Sequence, residues 1–124
     1  MLEHFKRRKQ AVITNKPNPY SREILSRLGL DGYFLEIVAG DSEYPKKPDP
    51  TSLLAIMSRE EIRPAETLVI GDSPIDVQMG REVGAFTVAV THGFGEIGEL
   101  TAAEPHVLVA NFDELLELAK RLEW

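Results

Sequence analysis

The chain has 124 residues with 43% hydrophobic content, which fits a single globular domain over 1–124 and argues against disorder. Its formal net charge of −6 disfavours binding to nucleic acid or to an anionic membrane, and no apolar run is long enough to span a bilayer. Cysteine is absent, which excludes disulfides and Cys-ligated zinc and leads us to expect a cytoplasmic protein.

Short apolar runs alternate with helical patterns along the chain, which predicts βαβ units and a parallel sheet. The first predicted elements are, in chain order, a helix over Leu2–Lys9, a strand over Ala11–Thr14, a helix over Tyr20–Leu28 and a strand over Leu35–Ala39. Gly29 is a left-handed stop for the second helix. After the polar loop Gly40–Asp49, a helix is expected to start with Asp49 as its cap and Pro50 as its first residue.

The second half of the chain continues this alternation. Its predicted elements are a strand over Thr67–Ile70, a helix from Ser73-Pro74 to Gly84, a strand over Phe86–Val90, a loop over Thr91–Gly95, a helix over Ile97–Ala102, a strand over His106–Val109 and a last helix capped by Asn111. We therefore predict an α/β fold with three layers, α/β/α, around a mostly parallel sheet of about five strands.

Apolar residues at helical spacing predict which side of three helices faces the core. These residues are Ile24, Leu25 and Leu28 in the helix over Tyr20–Leu28, Leu53, Leu54 and Met57 in the helix that starts at Asp49-Pro50, and Leu115, Leu116, Ala119 and Leu122 in the last helix.

Polar residues follow the carboxyl ends of the apolar strands, where open parallel sheets bind ligands. Thr14 and Asn15 follow the first strand, and Lys47 lies in the loop after the second. Asp72 follows the third strand, and Asp76 lies one helical turn further on. A hydroxyl and an ammonium group suit a phosphate dianion, and two carboxylates suit Mg²⁺. The pattern predicts a site for a magnesium-bound phosphoryl group at this edge.

Most of these residues also have an ordinary structural interpretation. Thr14 is a β-branched residue that suits a strand, and Lys47 taken alone is an exposed loop lysine. Asp76 lies three residues after Ser73, so the two fit a helix capping box. Asp72 stands between an apolar strand and a helix start, where a lone carboxylate has little structural purpose.

Three runs resemble, in order and spacing, the second, third and fourth motifs of the haloacid dehalogenase superfamily: VITNK at 12–16, KPDP at 47–50 and VIGDSPID at 69–76. The runs GREVGA at 80–85 and VTHGFG at 90–95 resemble its phosphoglycolate phosphatase branch. The resemblance covers essentially the whole chain. It implies a Rossmann-like core and Mg²⁺-dependent hydrolysis of a phosphomonoester, with a small phosphorylated metabolite as substrate.

The same resemblance implies a role for each matching residue. Thr14 corresponds to the phosphate-binding hydroxyl, with the Asn15 amide beside it. Lys47 corresponds to the catalytic lysine that pairs with the phosphate and with the nucleophile. Asp72 and Asp76 correspond to the acidic pair that positions Mg²⁺. For His92, in the loop after the fourth strand, we favour a structural role over substrate contact.

The superfamily's first motif, an Asp-x-Asp run after its first strand, does not occur in this sequence. In the family its first aspartate attacks phosphorus, and its second acts as general acid and base. The helical cap domain that lies between the first and second motifs of related phosphatases is also missing. The resemblance therefore implies a partial catalytic core that is inactive alone. It is either a truncated piece of a longer phosphatase or a natural remnant that binds without catalysing.

The missing motif has a structural consequence. In the family, the first strand lies between the strands equivalent to 11–14 and 67–70, and its loss leaves two unpaired apolar edges. We expect these strands to close on each other, or the gap to be filled by self-association or by a missing N-terminal segment. A phospho-acceptor receiver domain is a third interpretation, but it needs an acidic pair after its first strand, and Asp72 and Asp76 come too late in the chain.

Overall fold

The computed structural model describes residues 2–18, 20–92 and 97–124, in which strands and helices alternate. The elements are β1 Ala11–Ile13, α1 Tyr20–Arg27, β2 Glu36–Val38, α2 Thr51–Arg59, β3 Leu68–Gly71, α3 Pro74–Val83, β4 Phe86–Val90, α4 Ile97–Ala102, β5 Val107–Val109 and α5 Phe112–Arg121. Two single turns of 3₁₀-helix, Asp31–Tyr33 and Pro64–Glu66, were not predicted. Within these ranges, no helix combines the length and apolar character needed to cross a membrane.

The strands are all parallel, as predicted, but they form two sheets rather than one. β1 pairs with β2, with Val12 opposite Ile37, and β3 pairs with β4, with Ile70 opposite Val88. β5 adds to the outer side of β4. Among the described residues, β1 and β3 do not pair with each other, so the first of the two alternatives, closure of these strands on each other, does not occur.

Helices pack on both faces of the three-stranded sheet, which confirms the three-layer architecture. Neighbouring residues of β3 point to opposite faces, as in any strand. Val69 packs with the buried side chains of α2 and α3. Leu68 and Ile70 pack on the other face, against a cluster formed by Leu115 of α5 and the buried valines of β4 and β5. Ile13 of β1 contacts the same α2–α3 cluster as Val69. α2 therefore joins the two sheets through apolar contacts, although their backbones are not paired.

The predicted boundaries of α3 are confirmed by its capping contacts. Ser73 is the N-cap, and its Oγ accepts a hydrogen bond from the Ile75 N–H at 3.4 Å. Asp76 Oδ2 accepts from the Ser73 N–H at 3.3 Å, which completes the capping box. Gly84 ends the helix with φ 80°, a left-handed conformation that suits glycine. These local interactions place the start of α3 directly after the end of β3.

α2 starts one residue later than predicted. Pro50 is its N-cap and Thr51 its first residue. Asp49 still contributes to the helix start, because its Oδ1 accepts from the Thr51 hydroxyl at 2.5 Å and from the Thr51 N–H at 2.9 Å. The hydrogen bond from the Thr51 hydroxyl, followed by the one from the N–H, lowers the pKa of the Asp49 carboxyl.

The predicted helix over Leu2–Lys9 is wrong, because residues 2–8 form consecutive turns. The Phe5 N–H bonds to the Leu2 carbonyl at 3.1 Å, and the Arg8 N–H bonds to the Phe5 carbonyl at 2.7 Å. A helix of fewer than about 12 residues is marginal without tertiary support. Here only Phe5 is buried, which leaves little packing energy to stabilise a helix.

Some residues predicted to face the core are exposed. Leu28 is 65% exposed, Ile24 is 45% exposed, and Leu54 and Leu122 are each 47% exposed. Leu53, Met57, Leu115 and Ala119 are buried, as predicted. Periodicity identifies the apolar side of a helix, but burial depends on which elements pack against that side.

The cap of α5 offers a simple stability test. Asn111 Oδ1 accepts from the Glu114 N–H at 2.8 Å, as expected for an N-cap. Asn111→Ala is expected to lower the free energy of unfolding by about 1 kcal/mol, because that N–H loses its acceptor. Asn111→Ser keeps an acceptor oxygen and should retain most of this stability. Urea denaturation of the two variants measures the difference, and equal stabilities would contradict the capping role.

Candidate functional site

Thr14 lies directly after β1, at the carboxyl end of the two-stranded sheet. Its N–H donates to the Val38 carbonyl at 2.9 Å, which extends the pairing with β2 by one residue. Its Oγ1 accepts from the Lys16 N–H at 3.2 Å. A hydroxyl that accepts one hydrogen bond can still donate its own proton. The side chain is therefore held at the strand end in a form that can donate to an anion.

Gly40 allows the chain to pack closely at this end of the first sheet. Its N–H donates to the Lys16 carbonyl at 2.8 Å. A Cβ added at Gly40 would lie 2.0 Å from the Asn15 carbonyl oxygen, which is far inside any contact distance. The close approach of the two backbones therefore requires glycine at this position.

Asn15 contacts the main chain of Lys47 with both ends of its side-chain amide. The Lys47 N–H donates to Asn15 Oδ1 at 3.0 Å, and Asn15 Nδ2 donates to the Lys47 carbonyl at 3.3 Å. The two residues are 32 positions apart in the sequence. Asn15 therefore fixes the loop after β2 against the end of β1.

The side chain of Lys47 forms an ion pair with Asp76. Its Nζ lies 2.6 Å from Asp76 Oδ1, and the two side chains are only 14% and 10% exposed. The other oxygen of Asp76 accepts from the Ser73 N–H, as described above. A carboxylate has about four lone-pair sites, so Asp76 keeps acceptor capacity for a further ligand. The ion pair connects the loop after β2 to the first turn of α3.

Gly71 brings the Asp76 carboxylate onto the end of β3. A Cβ added at Gly71 would lie 2.2 Å from Asp76 Cβ and 2.3 Å from its Oδ2. No other residue type leaves room for this contact. Asp72, the next residue, has an exposed side chain. The Asp76 carboxylate and the residue Asp72 therefore both adjoin Gly71 at the carboxyl end of the second sheet.

The structure connects the predicted site residues across the division between the two sheets. Asn15, Lys47 and Asp76 are in direct contact, Thr14 is adjacent to Asn15, and Asp72 follows the glycine on which Asp76 packs. The described residues contain no group of three or more metal-ligating side chains that could hold an ion alone. A pair of carboxylates nevertheless fits Mg²⁺, which keeps several waters and takes further oxygens from a phosphate.

Other contacts at this edge were not anticipated from the sequence. The roles of Gly40 and Gly71 were missed, although a glycine at a strand end is itself a signal for close backbone approach. The side-chain contacts of Asn15 gave no sequence signal. The His92 ring lies 4.9 Å from the Phe112 ring, which agrees with a structural role in the loop. Residues 93–95 of the predicted loop lie outside the described residues.

The chain is similar in sequence to proteins of one known family. A family model described as haloacid dehalogenase-like hydrolase matches residues 1–90. The phosphoglycolate phosphatase of Vibrio vulnificus (strain YJ016) is 32% identical over 108 residues, which cover 87% of this chain and 47% of that protein. That of Pectobacterium atrosepticum is 34% identical over 108 residues, covering 87% of this chain and 46% of that protein. The chain spans about half the length of the curated relatives it matches.

Solved structures share the fold. A crystal structure of a predicted phosphoglycolate phosphatase from Haemophilus somnus matches with a TM-score of 0.86 at 28% identity, covering 95% of this chain and 53% of that one. A predicted phosphatase from Clostridium acetobutylicum matches with a TM-score of 0.82 at 31% identity, covering 99% of this chain and 57% of that one. These likenesses confirm the predicted α/β, Rossmann-like fold class.

Proposed function

Because this chain belongs to the haloacid dehalogenase-like hydrolases, we propose that it forms the phosphate- and magnesium-binding part of a phosphomonoester phosphatase. The observation that carries the proposal is the position of the Lys47 ammonium group. Asp76 pairs with this ammonium group, and Asn15 holds the Lys47 main chain, where the carboxyl ends of the two sheets meet. A compact cation at such an edge suits a phosphate dianion.

The proposed roles follow from the chemistry of each group. The Thr14 hydroxyl and the Asn15 main-chain N–H donate to phosphate oxygens, and Lys47 contributes positive charge. Asp72 and Asp76 would hold Mg²⁺, which when bound neutralises phosphate charge. The names of the relatives support a small phosphorylated metabolite such as 2-phosphoglycolate as the substrate, and a cytoplasmic location fits such a substrate.

The proposed activity requires a nucleophile that the printed sequence does not contain. No Asp-x-Asp run occurs in it, and we propose that the chain alone is catalytically inactive. We further propose that a strand bearing this motif inserts between β1 and β3. In the described part of the chain, each of these strands is paired on one side only. Ile13 of β1 and Val69 of β3 nevertheless pack against the same apolar cluster of α2 and α3, so both strand edges lie beside these helices.

A complementation experiment tests this proposal. The chain alone is expected to give no turnover of p-nitrophenyl phosphate with Mg²⁺. An added N-terminal segment with a β-strand followed by Asp-x-Asp is expected to restore turnover, because it supplies the nucleophile. The matched control is the same segment with its first aspartate replaced by asparagine, which should bind without restoring activity. Robust turnover by the chain alone, abolished by Asp72→Asn, would show that the nucleophile lies within it.

The second candidate function is a non-catalytic module that binds phosphate or a protein partner. The observation that favours it is the absence of the nucleophile motif from the sequence, whereas the retention of Thr14, Lys47, Asp72 and Asp76 favours the truncated phosphatase. Binding of Mg²⁺ and phosphate would then be weak, since two carboxylates supply few of the ligands. The complementation experiment separates the two functions, because a segment that binds tightly but restores no turnover favours the binding module.

A further inference from the structure

We infer that the side chain of Asn15 is a positioning residue for Lys47 and that it acts by fixing the Lys47 main chain. The Asn15 amide forms hydrogen bonds of 3.0 and 3.3 Å with the N–H and the carbonyl of that one residue. A primary amide has an acceptor and a donor side by side and can satisfy both groups of one peptide-chain residue. An ionised carboxylate lacks the donor, and an aliphatic side chain lacks both groups, so neither can form both bonds.

Lys47 needs such support because of where it lies in the chain. The loop between β2 and α2 has no regular secondary structure around Lys47, so neither a strand nor a helix sets its backbone conformation. A lysine side chain also has several rotatable bonds. If the main chain of Lys47 were free as well, the ammonium group would lose its defined position. The two Asn15 bonds anchor the base of the side chain, and Asp76 holds its tip at 2.6 Å.

The three residues form a continuous polar chain, Asn15–Lys47–Asp76, which starts at the end of β1 and finishes in the first turn of α3. This chain spans the division between the two sheets at their carboxyl ends. Asn15 therefore couples the phosphate-binding end of the first sheet to the acidic end of the second. The consequence for phosphate binding rests on the proposed function, whereas the effect on the Lys47 main chain does not.

Amide hydrogen exchange measured by NMR tests the main-chain contact directly. In the unaltered chain, the Lys47 N–H is expected to be protected by Asn15 Oδ1. In Asn15→Ala its exchange should accelerate by about fivefold, because the variant removes the acceptor of the Lys47 N–H and one hydrogen bond contributes about 1 kcal/mol. Exchange at Val88 in the buried sheet should stay unchanged. Asn15→Asp keeps an acceptor oxygen and should preserve part of the Lys47 protection, which also covers the case in which the alanine variant fails to fold.

Asn18→Ala is the matched control, because Asn18 lies in the same loop and contacts Ser21 and Asp41 rather than Lys47. It should leave the exchange of the Lys47 N–H unchanged. The inference is overturned if Asn15→Ala does not alter Lys47 exchange. It is also overturned if Val88 accelerates by the same factor, since Asn15 would then only support global stability.

Calorimetric titration with orthophosphate in the presence of Mg²⁺ tests the consequence for the site. Asn15→Ala is expected to weaken phosphate binding by about fivefold, which corresponds to the loss of about one net hydrogen bond, whereas Asn18→Ala should leave it unchanged. Equal affinities in the unaltered chain and Asn15→Ala would overturn the positioning role. If the unaltered chain binds no phosphate, the proposed function fails, and the exchange measurement alone decides whether Asn15 holds Lys47.

Discussion

Asp76→Ala is expected to lower the free energy of unfolding by about 3–5 kcal/mol, although Asp76 is also a proposed Mg²⁺ ligand. The variant leaves the Lys47 ammonium group, only 14% exposed, without its carboxylate partner. An unpaired buried charge carries most of its desolvation cost uncompensated. The variant also removes the Asp76 Oδ2 bond to the Ser73 N–H at the start of α3. For a domain whose total stability is about 5–15 kcal/mol, this loss is severe.

Asp72→Asn is the matched control for this prediction. Asp72 belongs to the same proposed Mg²⁺ site, but its side chain is exposed. Its substitution should change stability by less than about 0.5 kcal/mol and should weaken Mg²⁺ binding. Urea denaturation without Mg²⁺ separates the two carboxylates. Equal stability losses for Asp72→Asn and Asp76→Ala would show that the Lys47–Asp76 pair does not stabilise the fold.

Lys47→Met provides the other side of a double-mutant cycle. It should cost less than Asp76→Ala, because Asp76 still accepts from the Ser73 N–H and lies at the positive end of the α3 dipole. The double variant should be more stable than the sum of the two single losses predicts, since both remove the same ion pair. Simple additivity would contradict direct coupling between the two side chains.

Gly71→Ala is expected to cost about 1–3 kcal/mol of stability and to disrupt the acidic end of the site. The added Cβ would lie 2.2 Å from Asp76 Cβ, so either β3 or the first turn of α3 must move. Either movement carries Asp76 away from Lys47. Mg²⁺ affinity, measured by calorimetry, should therefore fall together with stability.

Gly32→Ala is the matched glycine substitution, because no heavy atom lies within 4 Å of a Cβ added at Gly32. It should change stability by less than about 0.5 kcal/mol and leave Mg²⁺ affinity intact.

The double variant of Gly71→Ala and Lys47→Met should lose less stability than the sum of the two single losses, because each substitution already breaks the Lys47–Asp76 contact. A Gly71→Ala variant as stable as Gly32→Ala would show that the close contact is readily relieved.

Several elements of the fold are set by local interactions. β4 and α4 match their predicted boundaries, and α3 begins at Ser73 and ends at Gly84 as predicted. These features depend on interactions within a few residues: the hydroxyl and carboxylate of the capping box, and the left-handed glycine at the helix end. The helix predicted over 2–9 is the exception, because a segment so short needs tertiary packing that Phe5 alone does not supply.

The candidate site was also predictable in outline. The rule that parallel strands direct their carboxyl ends to one edge predicted that Thr14, Lys47 and Asp72 follow strands at the same edge. Their roles in binding phosphate and Mg²⁺ stay predictions. The sequence did not indicate that Asn15 holds the Lys47 main chain or that Asp76 pairs with Lys47, because these partners are 32 and 29 positions apart.

The sequence by itself thus determined the order and type of β1–β5 and α1–α5, because periodicity, caps and strand direction are short-range properties. Only the tertiary structure decided that β1–β5 divide into two sheets and that α2 joins these sheets through Ile13 and Val69. It also decided that Ile24 and Leu54 are exposed. These outcomes depend on which surfaces meet after the chain has folded, and the spacing of residues along the chain does not specify that.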